Sequence, residues 1–212
     1  GGTETTSGDY KIHTFTGDGP FNVTSEGSAS GSNKVSYLVV AGGGGASCAG
    51  AGGGGFREGK VSGDPYTASP LVAPDGLSVP VANYTITVGA GGIKPTPSGA
   101  TTNTSGGLST FSTITSAGGG KAGSGTTGAA GGSGGGSTST TGGAGNTPPV
   151  SPPQGNPGGT ASTYSSAGGG ATSAGGNYPG PHLGGTGATS SITASPVGYS
   201  GGGGGASPGG GS

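Results

Sequence analysis

The sequence predicts an all-β protein: a small β-sandwich-like base whose strands run into a bundle of extended, three-fold glycine helices, with essentially no α-helix. Three observations carry this prediction. Glycine supplies 60 of the 212 residues, and each glycine in a helix interior costs about 1 kcal/mol relative to alanine. Short stretches in the first half alternate apolar and polar residues, the period of a half-buried strand. Those stretches lead directly into runs of glycine.

Taken in order, residues 10–16 form the first expected strand. Gly17-Asp18-Gly19-Pro20 suits a turn that needs positive φ, so a hairpin to a second strand at 21–24 is expected. Residues 35–41 are apolar enough for a strand buried on both faces, and they run into glycines 42–45. Tyr84, Ile86 and Val88 alternate with threonines and lead into 89–92. Leu108, Phe111 and Ile114 are spaced by threes, which a regular strand does not explain. The stretch 112–117 again ends in a glycine run, at 118–120.

Composition changes near residue 116. All seven acids precede position 76, and Lys121 is the last base. The sequence therefore divides into a β-rich base with threaded glycine runs, 1–116, and a glycine-rich tract with proline- and tyrosine-bearing loops, 117–212. Such a tract reads either as a flexible coil or as a lattice of extended glycine helices. Two features favour the lattice. Tyr164, Tyr178 and Tyr199 punctuate the tract. Gly125, Gly128, Gly131 and Gly134 recur at three, the period of an extended helix with three residues per turn. A stripe of bare glycines lets backbones approach closely, with Ala130 and Ser133 expected to face outward. Scarce charge agrees, since a buried bundle of backbones has no favourable place for one.

The same composition excludes several functions. A formal net charge of -1 leaves no basic patch for nucleic acid. No apolar run reaches the roughly 18 residues of a membrane span. Cys48 stands alone, and no Cys/His cluster suggests a metal. Residues 54–60 match a phosphate-binding loop as far as Lys60, but Val61 stands where Ser or Thr must hold magnesium. Gly131-Gly132-Ser133-Gly134-Gly135 matches a nucleophile elbow only because glycine is everywhere. No enzyme and no cofactor is expected. Asn22, Asn83 and Asn103 begin glycosylation sequons, which matter only in a glycosylating secretory source. Ice binding would need a sustained threonine or alanine rank, and the hint at Thr126-Thr127 and Ala129-Ala130 does not persist.

The stretches 8–16, 38–45, 84–92 and 109–116 together resemble the glycine-rich domains of bacteriophage tail fibres. Residues 56–60 and 147–155 look like inserts in marine phage versions. The resemblance implies an adhesin with polyglycine-II helices, extracellular on a virion tail, whose end loops contact the host. Its partners would be a bacterial surface glycan or outer-membrane protein, together with the rest of a tail fibre. Aromatic rings stack on sugars or apolar surface, which makes Tyr164, Tyr178, His182 and Tyr199 candidate contacts. Phe56 and Arg57 form a second candidate patch. Each tyrosine reads equally as a plug over the bundle's side or end. Attachment is expected from loops 147–155, 178–183 and 196–199. Such domains often close with a short apolar strand after the last glycine run, and 209–212 carry none. The alternative reading follows from that departure: a subunit of a secreted filament, in which copies of the chain donate the closing strand to one another.

Overall fold

The computed structural model describes residues 1–27, 33–94 and 102–206. The stretch 209–212, whose sequence carries no closing strand, lies outside them. The described residues form strands and extended segments with no helix, so the protein is all-β.

The chain opens with a ribbon of β1 (Thr3–Ser7) and β2 (Tyr10–Thr14). Gly8, at φ 56°, makes the turn between them. The hairpin expected across residues 17–20 does not form. Instead β3 (Gly19–Val23) pairs with β9 (Ala82–Thr87), and Asp18 accepts a hydrogen bond from the Val88 amide at 2.8 Å. The turn thus directs the chain away from β2. The expected strand at 35–41 is interrupted. Its first piece, β4 (Lys34–Val35), pairs with β8 (Leu77–Ser78), while β5 (Tyr37–Val40) pairs with β6 (Phe56–Gly59). Ser36, between the two, takes the Val61 amide on its hydroxyl and donates to Asp64. β7 (Val72–Ala73) extends the β5–β6 sheet. The spacing of threes around 111 is a tight hairpin. β10 (Ser109–Phe111) turns through Ser112, at φ 53°, into β11 (Ile114–Ser116).

The sheet β11-β10-β9-β3 faces the sheet β5-β6-β7 across a small core. Tyr37, Val39, Val79, Ile86 and Phe111 are its buried members. Phe21 packs on Phe111 with ring centroids 5.7 Å apart, edge to face. A second cluster joins Phe56, Ala171 and Ala188, with Leu38, Val40, Leu71 and Tyr199 around them. It incorporates β12 (Ala188–Ser190) and β13 (Val197–Tyr199), a hairpin from late in the chain.

Glycine-rich segments leave the base after β5, β9, β11 and β13, and others return into β6, β10 and β12. Their hydrogen bonds repeat every third residue. The amides of Gly50 and Gly53 donate to Ser166 and Gly169, whereas those of Gly52 and Gly55 donate to Gly120 and Ala117. Likewise Gly119 and Ala122 reach Gly42 and Gly45, while Gly120 and Gly123 reach Ser133 and Gly136. Positions i and i+3 face one neighbour and the intervening ones face others. That is a three-fold helix in a lattice of its own kind. Among the described residues, glycine, alanine and serine fill most of its interior, including Ala122, Ala161, Ala167, Ser133, Ser137 and Ser166. Buried Asn103 ties Gly45 to Ala122 through its side-chain amide.

The expected stripe is partly right. Gly128 and Gly131 both donate to one neighbouring segment, at Thr141 and Ala144. Gly125 instead sits in a bend at φ 65° with open space around it. Gly134 lies beyond a second bend and bonds Asn156. Ala130 is exposed, but Ser133, expected outside, is buried. The chain folds back at 131–133, which turns that serine into the bundle. The compositional division at 116 is not a division in space either. Segments 41–45, 50–55, 89–93 and 102–107 belong to the bundle, while 188–199 belong to the base.

Candidate functional site

The path of the chain sorts its loops between two ends of the bundle. Segment 155–161 leaves the base beside Gln154, whose carbonyl accepts the Phe56 amide at 2.9 Å. It reverses at 162–164, and 165–170 returns. Segment 174–177 leaves again and reverses at 178–180, and 181–187 comes back into β12. Tyr164 and Tyr178 therefore meet at the end far from the base.

There the rings converge. Tyr164 and Tyr178 are edge to face, with centroids 5.1 Å apart, and the His182 ring stacks on Tyr178 at 5.3 Å. Their backbones are cross-tied. The Tyr178 amide donates to Thr160 at 2.9 Å, and the Thr160 amide donates to Asn177 Oδ1 at 2.7 Å. His182 Nδ1 lies 2.9 Å from the Ser165 carbonyl oxygen. A carbonyl only accepts, so Nδ1 carries a hydrogen, and in the neutral ring Nε2 remains an acceptor. Tyr164 is 45% exposed, and Leu183 beside the cluster is 71% exposed. No charged side chain follows Lys121 in the sequence, so the loops bearing this cluster are uncharged.

The other candidates lie at the base. Phe56 is only 1% exposed and packs on Tyr199, with centroids 6.4 Å apart. It is a core residue, because its side of β6 faces the second cluster, and it offers no surface to a receptor. Arg57 is half-buried, with Nη1 3.5 Å from the Thr115 carbonyl oxygen. Tyr199, on β13, packs against Phe56 and the second core cluster at the base. The proline-rich loop is likewise at the base. Gln154 Oε1 accepts the Ala117 amide and its Nε2 donates to Pro148, each at 2.8 Å. Asn146 Oδ1 takes the amides of Val150 and Gln154. Of the three loops expected to carry attachment, only 178–183 reaches the far end.

Leu183, inside the expected loop 178–183, owes its exposure to where that loop lies. One feature escaped the sequence reading. Glu58 is 1% exposed and accepts from the Ser69 amide at 2.8 Å and the Ser190 hydroxyl at 2.6 Å. Its signal was an acid inside a short buried strand.

The fold and the tip define a glycine-lattice domain carried on a small all-β base. The chain matches the glycine-rich domain family over residues 16–212, and it belongs to that family. The β1–β2 ribbon precedes the matched residues. No curated protein and no solved structure matches the chain.

Proposed function

We propose that this chain is the recognition domain of an extracellular, tail-fibre-type adhesin, which binds a bacterial surface receptor through its far end. The observation that supports it is the convergence of Tyr164, Tyr178 and His182, from two separate loops, on a stiff lattice. Binding residues held by a rigid scaffold lose little freedom on docking. Aromatic rings are the usual anchors of a contact surface, each costing about 2 kcal/mol or more when truncated at a hot spot.

Tyr178→Ala and His182→Ala should therefore weaken binding to host cells about 30-fold or more, the equivalent of about 2 kcal/mol. The fold should stay intact, with stability lowered by only about 1 kcal/mol for the lost ring contacts and the His182–Ser165 hydrogen bond. Undiminished cell binding by both variants would sink the adhesin reading. The uncharged tip leads to a second expectation: raising salt from 50 to 500 mM should shift affinity by less than about twofold, since no charge pairs are there to screen. A steep loss with salt would place the contact elsewhere on the chain.

The filament reading draws support from one observation, the β1–β2 ribbon. Neither strand pairs with any other described strand, and every residue of β1 is exposed. Free edges of this kind accept strands from other chains. Fibres formed by the purified chain and abolished by Thr5→Pro, with tip variants binding normally, would put this reading in first place.

A further inference from the structure

At the base, remote from the tip, a cavity of about 500 Å³ opens between the β1–β2 ribbon, the core of the two sheets and the turn at 191–194. Its walls are unusual for so aromatic-poor a chain. Of the seven tyrosines and four phenylalanines in the sequence, four tyrosines and three phenylalanines line this one space. Tyr10 and Phe15 come from the ribbon and the residues just after it. Phe21, Tyr37 and Phe111 come from the core side, and Tyr66 and Tyr199 from the flanks. The space is open to solvent on one side, past the exposed Tyr10, Lys11 and Thr14, and it falls in the size range of ordinary small-molecule clefts.

The charged groups on its wall say what kind of molecule fits. Lys11 is paired with Glu4 at 3.3 Å, and Lys34 with Asp75. Asp64 accepts from the Ser36 hydroxyl. His13 Nδ1 lies 3.0 Å from the Gly1 carbonyl oxygen and 3.7 Å from Glu4. Burial raises the phenols of Tyr37 and Tyr66, and the Glu58 carboxylate raises Tyr66 further, so both stay neutral. Each charge thus already has a partner, and a charged ligand would have to displace one or lose hydration against a mostly apolar wall, so an uncharged ligand is favoured.

We propose that this cavity is a binding site for an uncharged, largely apolar small molecule. The ribbon forms its outer wall, so a glycine-rich domain gains a site from residues that precede the family match. The proposal does not depend on what the far end of the bundle binds.

An uncharged fluorescent naphthylamine, titrated into the full chain, should bind saturably at one molecule per chain. Decanol should displace it, whereas decanoate and decylammonium should compete at least tenfold more weakly. Ile12 is a half-buried wall residue on β2, and Ile12→Trp should fill the space and weaken probe binding about tenfold or more. As a readout independent of any variant, decanol should slow amide exchange at residues 10–15 in the unmodified chain. Absence of saturable binding, equal binding by Ile12→Trp with a folded ribbon, or equal competition by the charged amphiphiles would each overturn the proposal. So would a probe signal that appears only as the chain self-associates, because the apolar surface would then be an interface between copies.

Discussion

Gly168→Val is expected to destabilise the protein by on the order of 4 kcal/mol, or to prevent its folding. A Cβ at this position would stand 1.9 Å from the Ala51 carbonyl oxygen and 2.2 Å from its carbon. Both are backbone atoms, and the segment that carries them is itself fixed by bonds such as Gly203 to Ala51 and Gly52 to Gly120. Nothing flexible is available to move aside. Overpacking costs about 1–3 kcal/mol, and each lattice hydrogen bond lost costs about 0.5–1.5 kcal/mol. Gly168 donates to Gly203 and accepts from Gly185, and Gly53 donates to Gly169 next door. Gly91 provides the control, since a Cβ there meets nothing within 4 Å. Gly91→Ala should be neutral or stabilising by up to about 1 kcal/mol, because alanine reduces the freedom of the unfolded chain. Urea unfolding of the two variants beside the parent measures the difference. Equal midpoints for Gly168→Val and Gly91→Ala would refute the close-packed lattice.

Glu58→Ala should cost about 3 kcal/mol, the second largest effect expected. The carboxylate is buried and joins the Ser69 amide to the Ser190 hydroxyl, a contact between residues 132 positions apart. Removing it leaves two buried donors unsatisfied, each at about 1–3 kcal/mol, and opens a cavity between β6 and the late hairpin. Ser190→Ala should cost less, about 1 kcal/mol, because Glu58 keeps the Ser69 amide. The double variant should be less destabilised than the sum of the singles, as expected for residues in contact. Strict additivity in denaturant titrations would mean that Glu58 acts without the late hairpin.

Much of the fold was legible in short segments. The alternation at 84–88 became β9, and the strand-to-glycine junctions after β5, β9 and β11 are where segments leave the base. The three-residue period appears in the lattice bonds themselves. The misreadings share one cause. The turn at 17–20 has hairpin residues, yet the partner of β3 lies some sixty positions later in β9. Ser133 shares a polar, small side chain with serines that face solvent, and only the fold-back at 131–133 buries it. Phe56 has the composition of a contact residue and the position of a core one. For the candidate site, the sequence supplied the right residue types at Tyr164, Tyr178 and His182, but it also offered Tyr199, Phe56 and Arg57 on equal terms.

Composition and local period by themselves determined that this chain is all-β, that its glycine runs are extended, and that no Asp, Glu, Lys or Arg lies beyond Lys121. Those properties follow from each segment's own chemistry: glycine disfavours the α-helix, and a glycine stripe lets three-fold backbones pack closely. Tertiary structure alone decided which end of the bundle each loop occupies, which glycines meet a neighbour, and which aromatic rings reach solvent. These depend on how many times the chain reverses and on pairings between distant residues. Two tyrosines fourteen positions apart meet at one tip because an even number of lattice segments separates them, a fact that no local pattern encodes.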